Sequence, residues 1–266
     1  AASTGGLDTI TFSGPMTLQP TDTLTLDGLG ATYLIGRAGV VLDMSAASVT
    51  NNQSCLQINA DDSLVSGLEI RDCPGIGLRA FGSTGSTVRS CVLDGNRVGF
   101  LTPSGGNTFG PDNVVSYSTG EAQVQLRAPT TVTGNEIAWS ADAGVLLSTG
   151  ADGSVVALNT IHHSGGPAIR FSDASGGTAG VFVVDNTLVA NTGDGIVFEG
   201  TNSTGHTVLN NVLALNGGAG IAGASANFAA GSPDFGAYFD NTGGDCAGCT
   251  PGTSAMAVDP AFVDSA

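Results

Sequence analysis

A chain of 266 residues suffices for one large domain or two small ones, and with 41% hydrophobic residues against 11% charged it is too apolar to be intrinsically disordered. Seven basic residues, all arginine, stand against 23 acidic ones for a net charge of −16, which excludes nucleic acid as a partner because phosphate binding needs a basic surface. No apolar run reaches the roughly 18 residues of a membrane helix, so no membrane span is expected.

The start, Ala1-Ala2-Ser3-Thr4-Gly5-Gly6, has the small residues of a mature terminus left by signal-peptide cleavage, and a secreted chain is expected. Short alternating runs follow at Thr9-Ile10-Thr11-Phe12, Leu24-Thr25-Leu26, Val40-Val41-Leu42 and Leu56-Gln57-Ile58. Apolar residues at every second position mark strands with one buried face. Val65 with Ile70, and Val88 with Leu93, then open a pattern that carries Leu68 and Cys91 at the position asparagine takes in later copies. After one degenerate turn at Asn113-Val114-Val115-Ser116, the pattern becomes Val-x-x-Asn-x-Ile/Leu at Val132/Asn135/Ile137, Val156/Asn159/Ile161, Val183/Asn186/Leu188 and Val208/Asn211/Leu213. A second apolar run trails each copy, as in Val145-Leu146-Leu147 and Ile169-Arg170-Phe171.

A repeat of about two dozen residues made only of strands and turns cannot bury its own apolar face. Coiling places each strand about 4.8 Å from its equivalent one turn on and stacks like residues into interior ladders. Asn135, Asn159, Asn186 and Asn211 are expected to form such a ladder, since asparagine accepts left-handed backbone angles and its amide can bond to its neighbours above and below. The fold expected is all-β: a parallel β-helix over residues 1–223, about nine coils and on the order of 40 Å long. Residues 224–266, where the cadence stops, are expected to form an irregular tail or cap.

The phrases from Val183 to Ile196 and from Asn210 to Ile221 resemble the right-handed parallel β-helix repeats of pectate-lyase-like proteins. The opening Asp8–Phe12 and closing Asp259–Asp264 are similar to the ends of such domains in bacterial surface proteins. The resemblance implies the fold but not one function, because the superfamily includes lyases, hydrolases, epimerases, adhesins and fibres.

Five cysteines suit an oxidising compartment. Aligning the coils puts Cys55 and Cys73 about two positions apart on adjacent turns, the first choice for a disulfide. Cys91, in the asparagine column, reads as a buried free thiol. Cys246-Ala247-Gly248-Cys249 could be a redox pair, half a zinc site or a loop staple; with no helix amino terminus and no further ligands nearby, the staple is favoured.

A lyase on this scaffold needs a base for the proton α to a carboxylate and a cation for the resulting enediolate. Arg79 and Arg127, each three residues after Ile76 and Val124, and Arg170 after Ile169, are the candidate cations, with His163 or His162 as base. A hydrolase would need two facing carboxyl groups; Glu136 with Asp142 or Asp194 could meet across turns, whereas Asp61-Asp62 reads as a turn. His162-His163 lacks a third metal ligand, so no metal or other cofactor is expected, calcium held loosely at Asp142, Asp152, Asp173 and Asp194 being the weak exception. Asn52-Gln53-Ser54 and Asn202-Ser203-Thr204 match the glycosylation pattern at chance frequency.

The favoured expectation is an extracellular structural or adhesive solenoid, leaning away from an enzyme. Its open ends would self-associate head to tail into a fibre or surface layer. The alternative is a carbohydrate-active enzyme, a polysaccharide lyase or epimerase, working on the sheet face with Arg79, Arg127, Arg170 and His163. A glycan ligand is compatible with either.

Overall fold

The computed structural model describes residues 7–28 and 30–262. The expected mature terminus, 1–6, and the end of the closing phrase, 263–264, lie outside the described residues, as do 265–266. The rest is all-β: strands mostly three to five residues long, with one 3-10 helix at Ser225–Asn227. Each coil contributes three strands, so every third strand stacks on its equivalent and the chain winds as a right-handed parallel β-helix with three sheets. Among the described residues the first sheet has nine strands, from Asp8–Thr11 to Thr207–Leu209. The second has eleven, from Met16–Leu18 to Met256–Ala257, and the third has ten, from Leu24–Leu26 to Cys246–Ala247.

The valines of the sequence repeat pair in one row, Val132 with Val156, Val183 and Val208. All four are at most 2% exposed. Ile137, Ile161, Leu188 and Leu213 form the matching row in the second sheet. Alternate residues thus enter one continuous core, each large apolar side chain contributing roughly 1.5–3 kcal/mol by leaving water. Inside, rings stack on rings: Phe100 on Phe109 at 4.4 Å, and Phe171 on Phe198 at 4.3 Å.

The asparagine column is present and one member longer than expected, running Asn113, Asn135, Asn159, Asn186, Asn211. Each side-chain amide donates to the next Oδ1 at 2.9–3.0 Å. Each of those oxygens also accepts the backbone N–H of the asparagine before it, at 3.0–3.3 Å. Cys91 heads the column, its N–H bonded to Asn113 Oδ1 at 3.0 Å. The left-handed conformation belongs to the preceding residue instead: Gly134, Leu158, Asp185 and Asn210 have φ of 65°, 58°, 56° and 61°. Asparagine is therefore placed for its amide, not for its backbone tolerance. A second column, at the corner between the second and third sheets, includes Asn191, Asn216 and Asn241, again joined amide to amide at 2.9–3.0 Å.

Over its described part, 224–262, the segment expected to be an irregular tail is more regular than that. Ala237–Phe239 pairs with Val212–Ala214, Met256–Ala257 with Ala237–Phe239, and Cys246–Ala247 with Ile221–Ala222, so two of the three sheets continue through this segment. The first sheet does not, because the 3-10 turn and the Pro-containing stretch that follows supply only isolated bridges there. Cys55 is bonded to Cys73 and Cys246 to Cys249. Cys91 is free and buried, and burial pushes its thiol up to about 11.

Candidate functional site

The outer face of the third sheet carries one row through the pairs Gln57, Arg79, Leu101, Gln125, Leu146 and Arg170. Where this row meets the corner loop, a groove of about 350 Å³ opens, with Arg79, Arg97 and Arg127 on its walls, Ile76, Val98 and Leu101 on its floor, and Glu121 beside them. The three floor residues are at most 3% exposed although they point away from the core.

The groove exists because one corner is long. Between Val40–Asp43 and Ser54–Ile58 the chain makes an extended loop, whereas later coils turn the same corner in a few residues. Its carbonyls hold two arginines: Arg97 Nη1 donates to Asn51 at 3.0 Å and Arg79 Nη1 to Asn52 at 3.4 Å. The loop is closed on itself by a bond from the Thr50 N–H to Gln53 Oε1 at 2.8 Å and is anchored where it ends by the Cys55–Cys73 disulfide. Arg79 also lies over the Phe81 ring at 4.2 Å, and its Nε is buried without a partner. Burial, reinforced by the like charge of Arg127, holds the Arg79 guanidinium below its ordinary value. Across the groove Gln125 Nε2 donates to Glu121 Oε1 at 3.0 Å.

Among the described residues none of Arg79, Arg97 and Arg127 forms an ion pair, whereas Arg71 pairs with Asp43 and Arg170 with Asp142 and Glu199. Three unneutralised guanidiniums around one apolar floor suit a planar anion such as a carboxylate, which each can take with two parallel donors.

Of the residues expected to form a site, Arg79 and Arg127 do come together, but not by the equivalence that suggested it. Val124 pairs with Phe100 and thus with Leu78, so Arg79 is matched by Gln125 and Arg127 lies two residues further on. Arg170 shares the Arg79 row four spacings away, about 19 Å, and is spent on its carboxylates. His163 lies outside the groove, its ring 4.3 Å from Trp139 and its Nδ1 2.8 Å from that of His162. Glu136 reaches His162 at 3.4 Å, and Asp142 faces Arg170, so the carboxylates considered for hydrolysis do not oppose each other. Asp152, Asp173 and Asp194 each accept a backbone N–H at 2.6–2.7 Å. Among the described residues no three of His, Cys, Asp and Glu are grouped to hold a metal. Arg97 was missed: it sits in a turn outside the strand alternation, and its only signal was the scarcity of arginine.

A family model described as a right-handed β-helix region matches residues 94–231. No curated protein matches the sequence. Among solved structures, pectate lyase Pel9A aligns with a TM-score of 0.61 at 15% identity, covering 97% of this chain and 69% of that one. A variant of the periplasmic alginate epimerase AlgG gives 0.58 at 17% identity, covering 85% and 58%, so this chain spans less than two thirds of that protein. The Dettilon tailspike protein gives 0.51 at 12% identity, covering 94% and 61%. These likenesses establish the shared fold.

Proposed function

This chain belongs to the right-handed β-helix family, and on that premise we propose that it is an extracytoplasmic, carbohydrate-active protein whose third-sheet groove takes a uronate-containing polysaccharide. The observation that carries the reading is the gathering of Arg79, Arg97 and Arg127, all unpaired among the described residues, in one groove of a chain with net charge −16. Against that overall charge, a local cationic site selects for an anion at short range rather than steering it from afar. The names pectate lyase and alginate epimerase borne by similar folds support the same substrate class. Two disulfides fit an oxidising compartment.

The chemistry that suits the groove is removal of the proton α to the sugar carboxylate. Arg97 and Arg127 hold the carboxylate, and their charge stabilises the enediolate that forms as the proton leaves. Glu121, the carboxylate lining the groove, takes the base role first considered for His163. Expulsion of the glycosidic oxygen β to the carboxylate makes the protein a lyase; return of a proton from the opposite face makes it an epimerase.

The test is incubation with polygalacturonate and polymannuronate, reading absorbance near 235 nm for elimination and proton NMR for inversion, with Arg97→Ala, Arg127→Ala and Glu121→Gln alongside. Turnover or binding of a uronan that falls at least tenfold in the arginine variants is expected. Uronan affinity that is absent, or indifferent to all three substitutions, refutes the reading.

A second reading, the structural or adhesive rod that associates end to end, is supported by apolar side chains at both ends of the coil. Leu7, Ile10, Met16 and Leu18 are 37–58% exposed at one end, and Met256, Val258 and Phe262 are 46–57% exposed at the other. Light scattering across a hundredfold range of concentration decides it, a constant monomer mass removing it.

A further inference from the structure

The corner between the second and third sheets repeats a left-handed residue in successive coils: Asp72, Gly95, Tyr117, Trp139, His163, Ala190, Leu215 and Asp240, those with side chains at φ of 49–58°. The geometry asks only for a residue that tolerates this conformation, and bulky side chains tolerate it worst. Yet three consecutive coils place aromatic rings there. Tyr117 and Trp139 stack at 6.1 Å with planes 7° apart, and Trp139 and His163 at 4.3 Å with planes 19° apart. Tyr117 is 57% exposed and Trp139 45%. The stack is flanked by glycine at one end and alanine at the other, so one face of the Tyr117 ring looks into the space above Gly95. A Cβ on Gly95 would approach Asp72 Oδ1 at 2.9 Å, so that carboxylate oxygen stands directly over Gly95, at the base of the notch. The platform is rigid, because the next residue inward is tied down by buried contacts such as Ser118 Oγ to Ser140 Oγ at 3.0 Å, and His163 is held by His162.

We propose that this corner is a sugar-stacking subsite: an uncharged pyranose ring lies with its C–H face on Tyr117, in the notch over Gly95, and gives its hydroxyl hydrogens to Asp72. The inference rests on reading the protein as carbohydrate-directed, but it concerns a separate surface and a different sugar. The arginine groove takes the acidic residues of a glycan, while Asp72, whose Oδ2 lies 3.8 Å from Arg71 Nε, keeps its Oδ1 over Gly95 to accept from the hydroxyls of a neutral sugar. Gly95 lies two residues before Arg97, and Tyr117 four residues before Glu121, so one heteropolymer can reach both surfaces. Aromatic faces with a few convergent polar groups are the usual make-up of small-ligand sites.

Trp139 is the chain's single tryptophan, so its fluorescence reports on the stack alone. Cello-, xylo-, manno- and galacto-hexaose are titrated by fluorescence, and hexagalacturonate by calorimetry. At least one neutral hexaose is expected to give a saturable shift whose Kd rises about two- to tenfold in Tyr117→Ala. Gly95→Asn is expected to do the same by filling the notch with a residue that accepts positive φ, as Asn210 does at another corner. Arg127→Ala should leave this shift unchanged. Silence of Trp139 with all four sugars, or a shift that survives both corner substitutions, overturns the subsite. If calorimetry still detects hexagalacturonate in that case, the groove reading stands; a fluorescence response without uronate binding keeps the corner and sinks the groove.

Discussion

Replacing Asn159 by alanine tests the column that sets the register of the coils. The amide donates to the Val132 carbonyl at 3.0 Å and to Asn186 Oδ1 at 3.0 Å, and its oxygen accepts the Asn135 N–H at 3.0 Å and the Asn135 amide at 2.9 Å. All four bonds are buried, and a buried hydrogen bond is worth about 1 kcal/mol net, so the substitution costs about 4 kcal/mol. The cost is concentrated on the Asn135 N–H, which is left buried without an acceptor 24 residues away in sequence. In a stacked array such a loss is felt first at the interface between neighbouring coils. Urea unfolding followed by circular dichroism measures the total, and hydrogen exchange at the Asn135 amide measures the local effect. Asn202→Ala, an exposed asparagine away from the column, is the control and is expected to stay within about 0.5 kcal/mol of the parent. Equal losses in the two variants, or an Asn135 amide as protected in Asn159→Ala as in the parent, would refute the column's role.

Three further outcomes are expected. Cys91→Asn extends the column, giving Asn113 Oδ1 a side-chain donor in addition to the backbone N–H it already accepts, and should raise the urea midpoint by an amount equivalent to about 1 kcal/mol; a lowered midpoint contradicts it. Replacing Cys55 and Cys73 together by serine opens a loop whose ends are 18 residues apart and should cost about 3 kcal/mol, with weaker uronate binding as the loop that holds Arg79 and Arg97 loosens. His206 is 0% exposed, its Nδ1 accepts the Val181 N–H at 3.2 Å, and burial pulls its pKa from 6.5 down to about 4. Above pH 6.5 the imidazole is neutral folded or unfolded and the full stability is present. As pH falls towards 4 the unfolded chain takes up a proton that the folded chain refuses, removing about 3 kcal/mol. His206→Phe should flatten that window. Asp43, held at about 2 by the Ser45 hydroxyl and Arg71, loses its contribution only between pH 3.8 and 2 and does not mask the effect.

The architecture was legible because the Val-x-x-Asn spacing is a long-range signal: every copy must place an amide where the next can reach it. The corner occupied by Ser118, Ser140, Asn191 and Asn216 does the same work but mixes serine with asparagine, so no single letter recurs and the second column stayed hidden. The continuation of two sheets beyond residue 224 was hidden for a similar reason, since Ala237–Phe239 pairs in register without the valine and asparagine cues. The arginine groove was half legible. In Ala122–Leu126 every residue is buried, so alternation no longer separates the two faces, and a shift of two residues leaves the pattern unchanged. That is why Arg127 was matched to Arg79 when Gln125 is its true equivalent.

The physical division between interior and exterior explains why fold and function differ in legibility. Inside, each residue is constrained by its equivalents one coil above and below, so the pattern is periodic and a few positions predict the rest. Outside, the constraint is lifted: along the row of Arg79, Leu101, Gln125, Leu146 and Arg170 no side chain dictates the next. The groove and the aromatic corner are breaks in that indifference, since three cations without an ion pair among the described residues of an acidic chain and three rings at a strained backbone position each oppose the local physical preference. A rod stabilised from within can carry such unfavourable features on its surface, and those are the features on which the proposed glycan sites rest.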